Sequence, residues 1–358
     1  MPDTPRRRSR ATRWDPLTVG IDIGGTKVLA GVVDGSGGIV EQQRRDTIGH
    51  DVTAVEDTIV ELVTQFSERY EVAAVGIGAA GFVDASRSTV TFSPHLAWRD
   101  EPLRARVGGR VRLPVVVDND ANAAAQGESR FGAGKGQRFV LCVNLGTGIG
   151  GALVLDGRVF RGANGMAGEF GHMQVVEHGH RCPCGNRGCW EQYASGNALE
   201  REARELVVAR SPMAHELTVR CGGDPSRLHG PMVTEAARHG DPLAIELIAD
   251  MGRWLGIGLA NLVAAFDPSC VIIGGGVSEA GELLLAPTRT AMSRSMVGRG
   301  YRPAPPVVAA VLGPSAGFIG AADMARSAAR RSRSADRRRD RRARVRNEGW
   351  FRRPDPGS

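Results

Sequence analysis

The feature that most restricts what this chain can fold into is a glycine-tipped hairpin that occurs twice. Leu17 to Ile21 reads as a strand, Gly24 and Gly25 as a tight turn, and Val28 to Val33 as the returning strand. Roughly 125 residues further on the device returns. Phe139 to Leu145 is the strand, Gly146-Thr147-Gly148-Ile149-Gly150-Gly151 the tip and Ala152 to Leu155 the return. Glycine-rich tips expose backbone N–H groups that can hold phosphate oxygens, so the repeat predicts a duplicated α/β architecture. Each half then supplies one phosphate-holding turn, and the chemistry belongs in the cleft between them.

The intervening pattern fits. Apolar periodicity predicts a helix over 52–69, a buried strand over 73–78, a helix near 101–107 and a strand over 115–117 that runs into Asp118-Asn119-Asp120. A helix over 121–130 places Asp120 at a strand-to-helix junction. Helices follow at 194–209, 232–239, 242–265 and about 279–296, with a strand over 271–273 ending in Gly274-Gly275-Gly276. The ordered fold is expected to close with a strand near 307–311 and a helix over about 316–328. The boundaries drawn from this are a disordered basic arm (1–15), an N-terminal α/β domain (16–135, completed by about 310–325), a C-terminal α/β domain with a cysteine-rich loop (136–309) and a disordered tail (326–358).

Charge supports those arms. The net charge is +7, but residues 1–14 carry +4 and residues 326–358 carry thirteen Arg against four acids, which leaves −6 on residues 15–325. A mildly acidic body offers no polyanion-binding face, and both ends read as solvated arms rather than nucleic-acid contacts. The arginine-rich start is not followed by the apolar core of a signal peptide, and no stretch approaches the roughly 20 apolar residues of a membrane span. The expected location is the cytoplasm.

Asp22-Ile23-Gly24-Gly25-Thr26-Lys27 combines a carboxylate for Mg²⁺ or its waters, two glycines, a hydroxyl and a cation, the parts that phosphoryl transfer requires. It is neither a Walker loop nor a dinucleotide fingerprint. Asp120, after a strand end, suits a general base for an attacking hydroxyl, although a carboxylate there can equally cap the following helix. Asn119 offers both a donor and an acceptor, and Glu169 and Glu191 offer acceptors, a set that suits a polyol. His172, Cys182, Cys184 and Cys189 bring one imidazole and three thiolates, the tetrahedral set preferred by Zn²⁺. Four protein ligands leave no open position, so such a metal is structural, and His172 has a second ring nitrogen for a further hydrogen bond. Cys142, Cys221 and Cys270 fall in core-like segments.

Asp22 to Lys27, Val117 to Ala123, Leu145 to Gly151, Glu169-Phe170-Gly171-His172 and Cys182 to Glu191, in this order and spacing, resemble the ROK family (repressor, open reading frame, kinase), above all its actinobacterial glucokinase branch, over about residues 17–325. The resemblance implies an actin-like, ribonuclease H-like two-domain fold and the ATP-dependent conversion of glucose to glucose 6-phosphate. It implies that Asp120 is the base, and that Gly78, Gly81, Asn119, Glu169, His172 and Glu191 surround the sugar. Asp22, Gly24, Gly25, Thr26, Lys27, Gly146, Thr147 and Gly148 hold MgATP phosphates, while Gly274, Gly275 and Gly276 make room for the purine. A dimer or tetramer is also implied. Two departures from the family pattern are Ala152, where many relatives continue with glycine, and His95, where the family usually has Asn, which bears on sugar identity. The alternatives are another hexose or N-acetylmannosamine, polyphosphate as donor, or a non-catalytic sugar sensor or ROK-type regulator. A regulator would carry a DNA-reading domain, and only 21 residues precede Asp22.

Overall fold

The computed structural model describes residues 14–25, 27–46, 51–93 and 96–350, with side chains described as far as residue 334. The first half contains β1 (Leu17–Ile23), β2 (Lys27–Val33), β3 (Ile39–Asp46), α1 (Val52–Arg69), β4 (Val72–Ala79), a small sheet of β5 (Phe82–Val83), β6 (Val90–Phe92) and β7 (Arg99–Glu101), then α2 (Leu103–Val111), β8 (Val115–Asn119) and α3 (Asp120–Phe131). The second contains β9 (Phe139–Leu145), β10 (Ile149–Leu155), β11 (Arg158–Phe160), α4 (Glu191–Ala194), α5 (Gly196–Val208), α6 (His215–Arg220), α7 (Gly230–Arg238), α8 (Pro242–Phe266), β12 (Cys270–Gly274), α9 (Glu282–Ser295) and β13 (Val307–Ala309). α10 (Ala316–Trp350) ends the described chain.

The duplication is explicit in the topology. One five-stranded sheet runs β3-β2-β1-β4-β8 and the other β11-β10-β9-β12-β13. In each, the first three strands form an antiparallel meander and the last two add in parallel. This is the duplicated α/β, actin-like arrangement. α1 and α2 pack with the first sheet in one apolar core, and α5, α7, α8 and α9 with the second in another. α3 and α10 fill the space between the sheets: Ala125 and Met324 join Val140, Cys142 and Ile272, while Phe318 and Ala322 pack with Val33. α10 rests directly on strand backbone, since a Cβ built at Gly20 or Gly76 would stand 1.8 or 1.9 Å from the carbonyl oxygen of Phe318 or Ala321. Only glycine permits that approach.

Three expectations change. The second hairpin tip is shorter than expected, because Gly150 and Gly151 pair as β10 with Asn144 and Val143. The helix expected over 194–209 breaks at Ser195, whose side chain caps α5 while Gly196 N–H donates to Gly146 O (2.8 Å). The tail expected to be disordered from residue 326 instead continues α10 to Trp350, as its Ala/Arg-rich composition favours. Arg326 is 1% exposed and donates to Pro16 O (3.1 Å), Thr18 Oγ1 (2.8 Å) and Val33 O (2.7 Å), with Asp323 and Asp15 each 3.6 Å away. Arg330 pairs with Asp15. Residues 1–13 of the expected arm and 351–358 of the tail lie outside the described residues.

A buried cation with this many acceptors is costly to remove. Arg326→Ala leaves Asp323 and two carbonyls buried with fewer partners, and a loss of about 3 kcal/mol is expected in urea unfolding. Ending the chain at Ser334 keeps these contacts and should leave the unfolding midpoint unchanged. Equal loss in both variants would refute the assignment of the fold's edge to Arg326.

Candidate active site

Asp22 is carried to the mouth of the first hairpin by β1, where Gly24 N–H donates to Lys27 O (3.0 Å) and closes the turn. Thr26 lies outside the described residues, as does His95. A Cβ at Gly78 would lie 3.6 Å from both Asp22 Oδ1 and the Cα of Asp120, so β1, β4 and the start of α3 bring the two carboxylates to one place. Gly317, in the first turn of α10, presses on the same group: its Cβ would stand 2.5 Å from Asp22 Oδ2. Burial pushes the Asp22 carboxyl up to about 7, the charge of Asp120 adds to this, and Lys27 opposes it.

The sign of that shift gives a test without substrate. The folded pKa lies above the unfolded value, so the folded state holds a proton that the unfolded chain releases. The contribution of Asp22 to the stability of the ligand-free protein is therefore greatest below pH ~4 and is lost as pH rises through 7. Asp22→Asn should unfold at a higher temperature than the parent at pH 8 and at the same temperature near pH 4. Parallel Tm profiles would show that Asp22 is already charged.

At the end of β8, Asn119 rather than Asp120 caps α3: its Oδ1 accepts from Asn122 N–H (3.0 Å). Asn119 Nδ2 donates to Gly81 O (3.1 Å) and to Asp120 Oδ1 (2.8 Å), which also accepts from Ala121 N–H (2.9 Å). Gly81 is thus tied to the residue before Asp120, and both Asp120 and Asn119 are oriented by bonds within a few residues.

The second tip is anchored from behind. Gly146 N–H donates to Gly148 O (3.1 Å), and the loop's carbonyls at Gly146 and Thr147 accept from Gly196 and Asn197 (2.8 and 3.3 Å) at the start of α5. Glu191 Oε2 would lie 2.5 Å from a Cβ at residue 148. Of the three glycines after β12, Gly275 has φ +83° and its Cβ would meet the backbone of Leu145 at 2.3 to 2.7 Å, while a Cβ at Gly276 would meet nothing within 4 Å. The turn therefore abuts the second hairpin and leaves open space beside Gly276.

His172 Nδ1 and the sulfurs of Cys182, Cys184 and Cys189 all lie within 4.8 Å of one another. Cys184 Sγ and Cys189 Sγ are 3.7 Å apart, too far for a disulfide, and His172 Nδ1 is 3.6 Å from Cys182 Sγ. The edges of a tetrahedron with ordinary Zn–S and Zn–N bonds are about 3.8 and 3.6 Å. The donor set and its spacing fit zinc. His172 Nε2 faces Glu169 Oε2 (3.9 Å), so the ring's other nitrogen points away from the cysteines toward that carboxylate. Glu191 Oε1 lies 3.7 Å from His172 Nδ1 and accepts from Cys182 Sγ (3.1 Å). Burial raises the Glu169 carboxyl, His172 lowers it, and the charges of Asp120 and Glu191 raise it further. Those mutual influences bring Glu169, Glu191 and Asp120 into one electrostatic neighbourhood.

Sequence reasoning missed Asp118, Arg87, Arg161 and Gly317. Asp118 carried one signal, a charge at the end of the apolar run Val115 to Val117; the two arginines and the glycine carried none, because their partners are remote in the chain.

The family model described as "ROK family" matches residues 18–328. Glucokinase from Streptomyces coelicolor is 48% identical over 310 residues, covering 87% of this chain and 98% of that protein. The xylose repressor of Bacillus subtilis is 30% identical over 292 residues, 79% of this chain and 71% of its own. Among solved structures, a ROK family glucokinase from Streptomyces griseus, in complex with glucose and AMPPNP, superposes with a TM-score of 0.79 at 50% identity, covering 87% of this chain and 99% of that one. Two glycine hairpins on matching sheets, a carboxylate at each of two strand ends and a His/Cys₃ cluster therefore have one common account: this chain belongs to the ROK family.

Proposed function

We propose that this protein transfers the γ-phosphoryl group of MgATP to the 6-hydroxyl of glucose. Asp120 takes the hydroxyl proton as the oxygen–phosphorus bond forms, the bond from Pγ to the β,γ-bridging oxygen breaks, and ADP leaves with that electron pair. The observation that carries the reading is the convergence of Asp22 and Asp120 beside Gly78. One carboxylate is suited to the metal shell of the nucleotide and the other to the acceptor hydroxyl. The Streptomyces relatives support glucose and ATP as the pair.

Gly24, Gly25, Thr26 and Lys27 grasp phosphates from one side, and Gly146, Thr147 and Gly148 from the other, with Gly274 to Gly276 next to the purine. Asn119, with the second lone pair of its Oδ1, binds the sugar together with Glu169, His172 and Glu191. Asp22 would hold Mg²⁺, which would offset the negative charge of the phosphates. His172, Cys182, Cys184 and Cys189 would hold a zinc ion, which supplies a rigid crosslink to the loop bearing Glu169 and Glu191. Among the described residues no helix is long and apolar enough to cross a membrane. A cytoplasmic dimer or tetramer is the form we expect, and light scattering measures it.

The deciding experiment is ADP release with MgATP across glucose, mannose, fructose, N-acetylmannosamine and N-acetylglucosamine. The highest kcat/KM is expected for glucose. A preference for another sugar would reassign the acceptor, and silence on all of them would reject the kinase.

A further inference from the structure

Asp118 stands immediately before Asn119 and is 2% exposed, a carboxyl group taken almost wholly out of solvent. Five donors converge on it. Arg161 Nε and Nη2 (2.9 and 2.6 Å) and Arg87 Nη2 (2.8 Å) meet Oδ2, while Asn122 Nδ2 and Asn119 N–H (both 3.1 Å) meet Oδ1. The two arginines come from different parts of the molecule. Arg161 follows β11 in the second half, at the head of the segment that leads to Glu169 and His172, and its carbonyl accepts from Ala167 N–H (3.1 Å). Arg87 sits in the turn between β5 and β6, and both guanidinium groups also reach Met324 Sδ on α10 (3.2 and 3.8 Å).

Each arm is stiff. Arg161 Nη1 is held by Val159 O (2.9 Å). Arg87 has φ +58°, a left-handed conformation that a side-chain-bearing residue keeps only when its surroundings impose it. The surroundings here are Asp84, whose carboxylate accepts from Ser88 and Thr89 N–H (2.8 and 2.9 Å) and from Ser86 Oγ (2.5 Å). The connection from Asp118 to the base is equally short. Asp118 holds Asn119 and Asn122, Asn122 N–H is received by Asn119 Oδ1, and Asn119 Nδ2 holds Asp120 Oδ1.

We propose that Arg161 is a positioning residue that, through Asp118, fixes the angle of Asp120 relative to the loop carrying Glu169 and His172. The sugar-side loop and the base lie on different halves of the molecule, and this carboxylate is where both are registered. The inference rests on Asp120 being the base. Two arginines share one acid, so removing Arg161 still leaves Asp118 paired with Arg87, whereas removing Asp118 would strand two half-buried cations. Arg161 is therefore the informative site to change.

The experiment compares Arg161→Met and Arg161→Lys with the parent for kcat and KM on glucose, KM for MgATP, and Tm. Arg161→Met is expected to lower kcat about a hundredfold, as a displacement near 1 Å would, with KM for MgATP within about twofold. Arg161→Lys restores one charge but not the two-pronged grip, so it should recover most of the Tm and little of the kcat. Unchanged kcat in either variant, or kcat and Tm recovering together in Arg161→Lys, would overturn the proposal and leave a structural ion pair. If Arg161→Met does not fold, the same comparison stands on Arg161→Lys alone. A parent enzyme silent on every sugar would remove the kinase reading and this inference together; an active parent with an active Arg161→Met removes only the inference.

Discussion

Asp120→Asn is expected to lower glucose turnover by about a thousandfold while leaving the Tm within a degree or so of the parent. The new side chain has the same shape, and its carbonyl oxygen can still accept from Asn119 Nδ2 and Ala121 N–H, bonds that help to orient the carboxylate. Helix α3 does not depend on the charge, because Asn119 provides the cap. What disappears is an oxygen able to take a proton. A variant that turns over at a tenth of the parental rate or faster would show that the acceptor hydroxyl loses its proton elsewhere.

Cys189→Ser should have the next largest effect. Cys189 is fully buried and its sulfur completes an edge of the His172/Cys₃ cluster. Removing that sulfur is expected to release about one zinc per chain, as counted by elemental mass spectrometry, and to reduce kcat/KM for glucose about a hundredfold. The loss arises through position. Gln174 bridges to Cys189, Trp190 N–H donates to Met173 O (2.8 Å), and the fully buried Trp190 donates through Nε1 to Trp254 O (2.8 Å), so the loop's footing on α8 lies within a residue of the ligand. Cys221→Ser, a buried cysteine outside the cluster, should keep its zinc. Full glucose activity in metal-free Cys189→Ser would make the cluster irrelevant to the sugar.

What could be read from the chain alone was what neighbours encode. The hairpins announce themselves through glycines flanked by apolar runs, and the cluster through three cysteines within eight residues. Where partners are distant, the signal vanishes. Arg326 reads as the first residue of a solvated tail, yet it donates to Thr18 and Val33, about three hundred positions away. β3, with the sequence IVEQQRRD, has no continuous apolar face and was invisible as a strand because it is an edge that buries little. The cap on α3 was ambiguous because Asn119 and Asp120 are both good capping residues, and only the backbone conformation decides between them.

The way α10 lies against Gly20 and Gly76 also governs the order in which the enzyme can come into being. β1 and β4 are translated before the helix that covers their bare glycine backbone, and before Gly317, the residue that presses on Asp22. Both phosphate turns therefore precede in translation the glycine that closes on Asp22, so seating α10 on the bare strand backbone is a late step of assembly on which the position of that carboxylate depends.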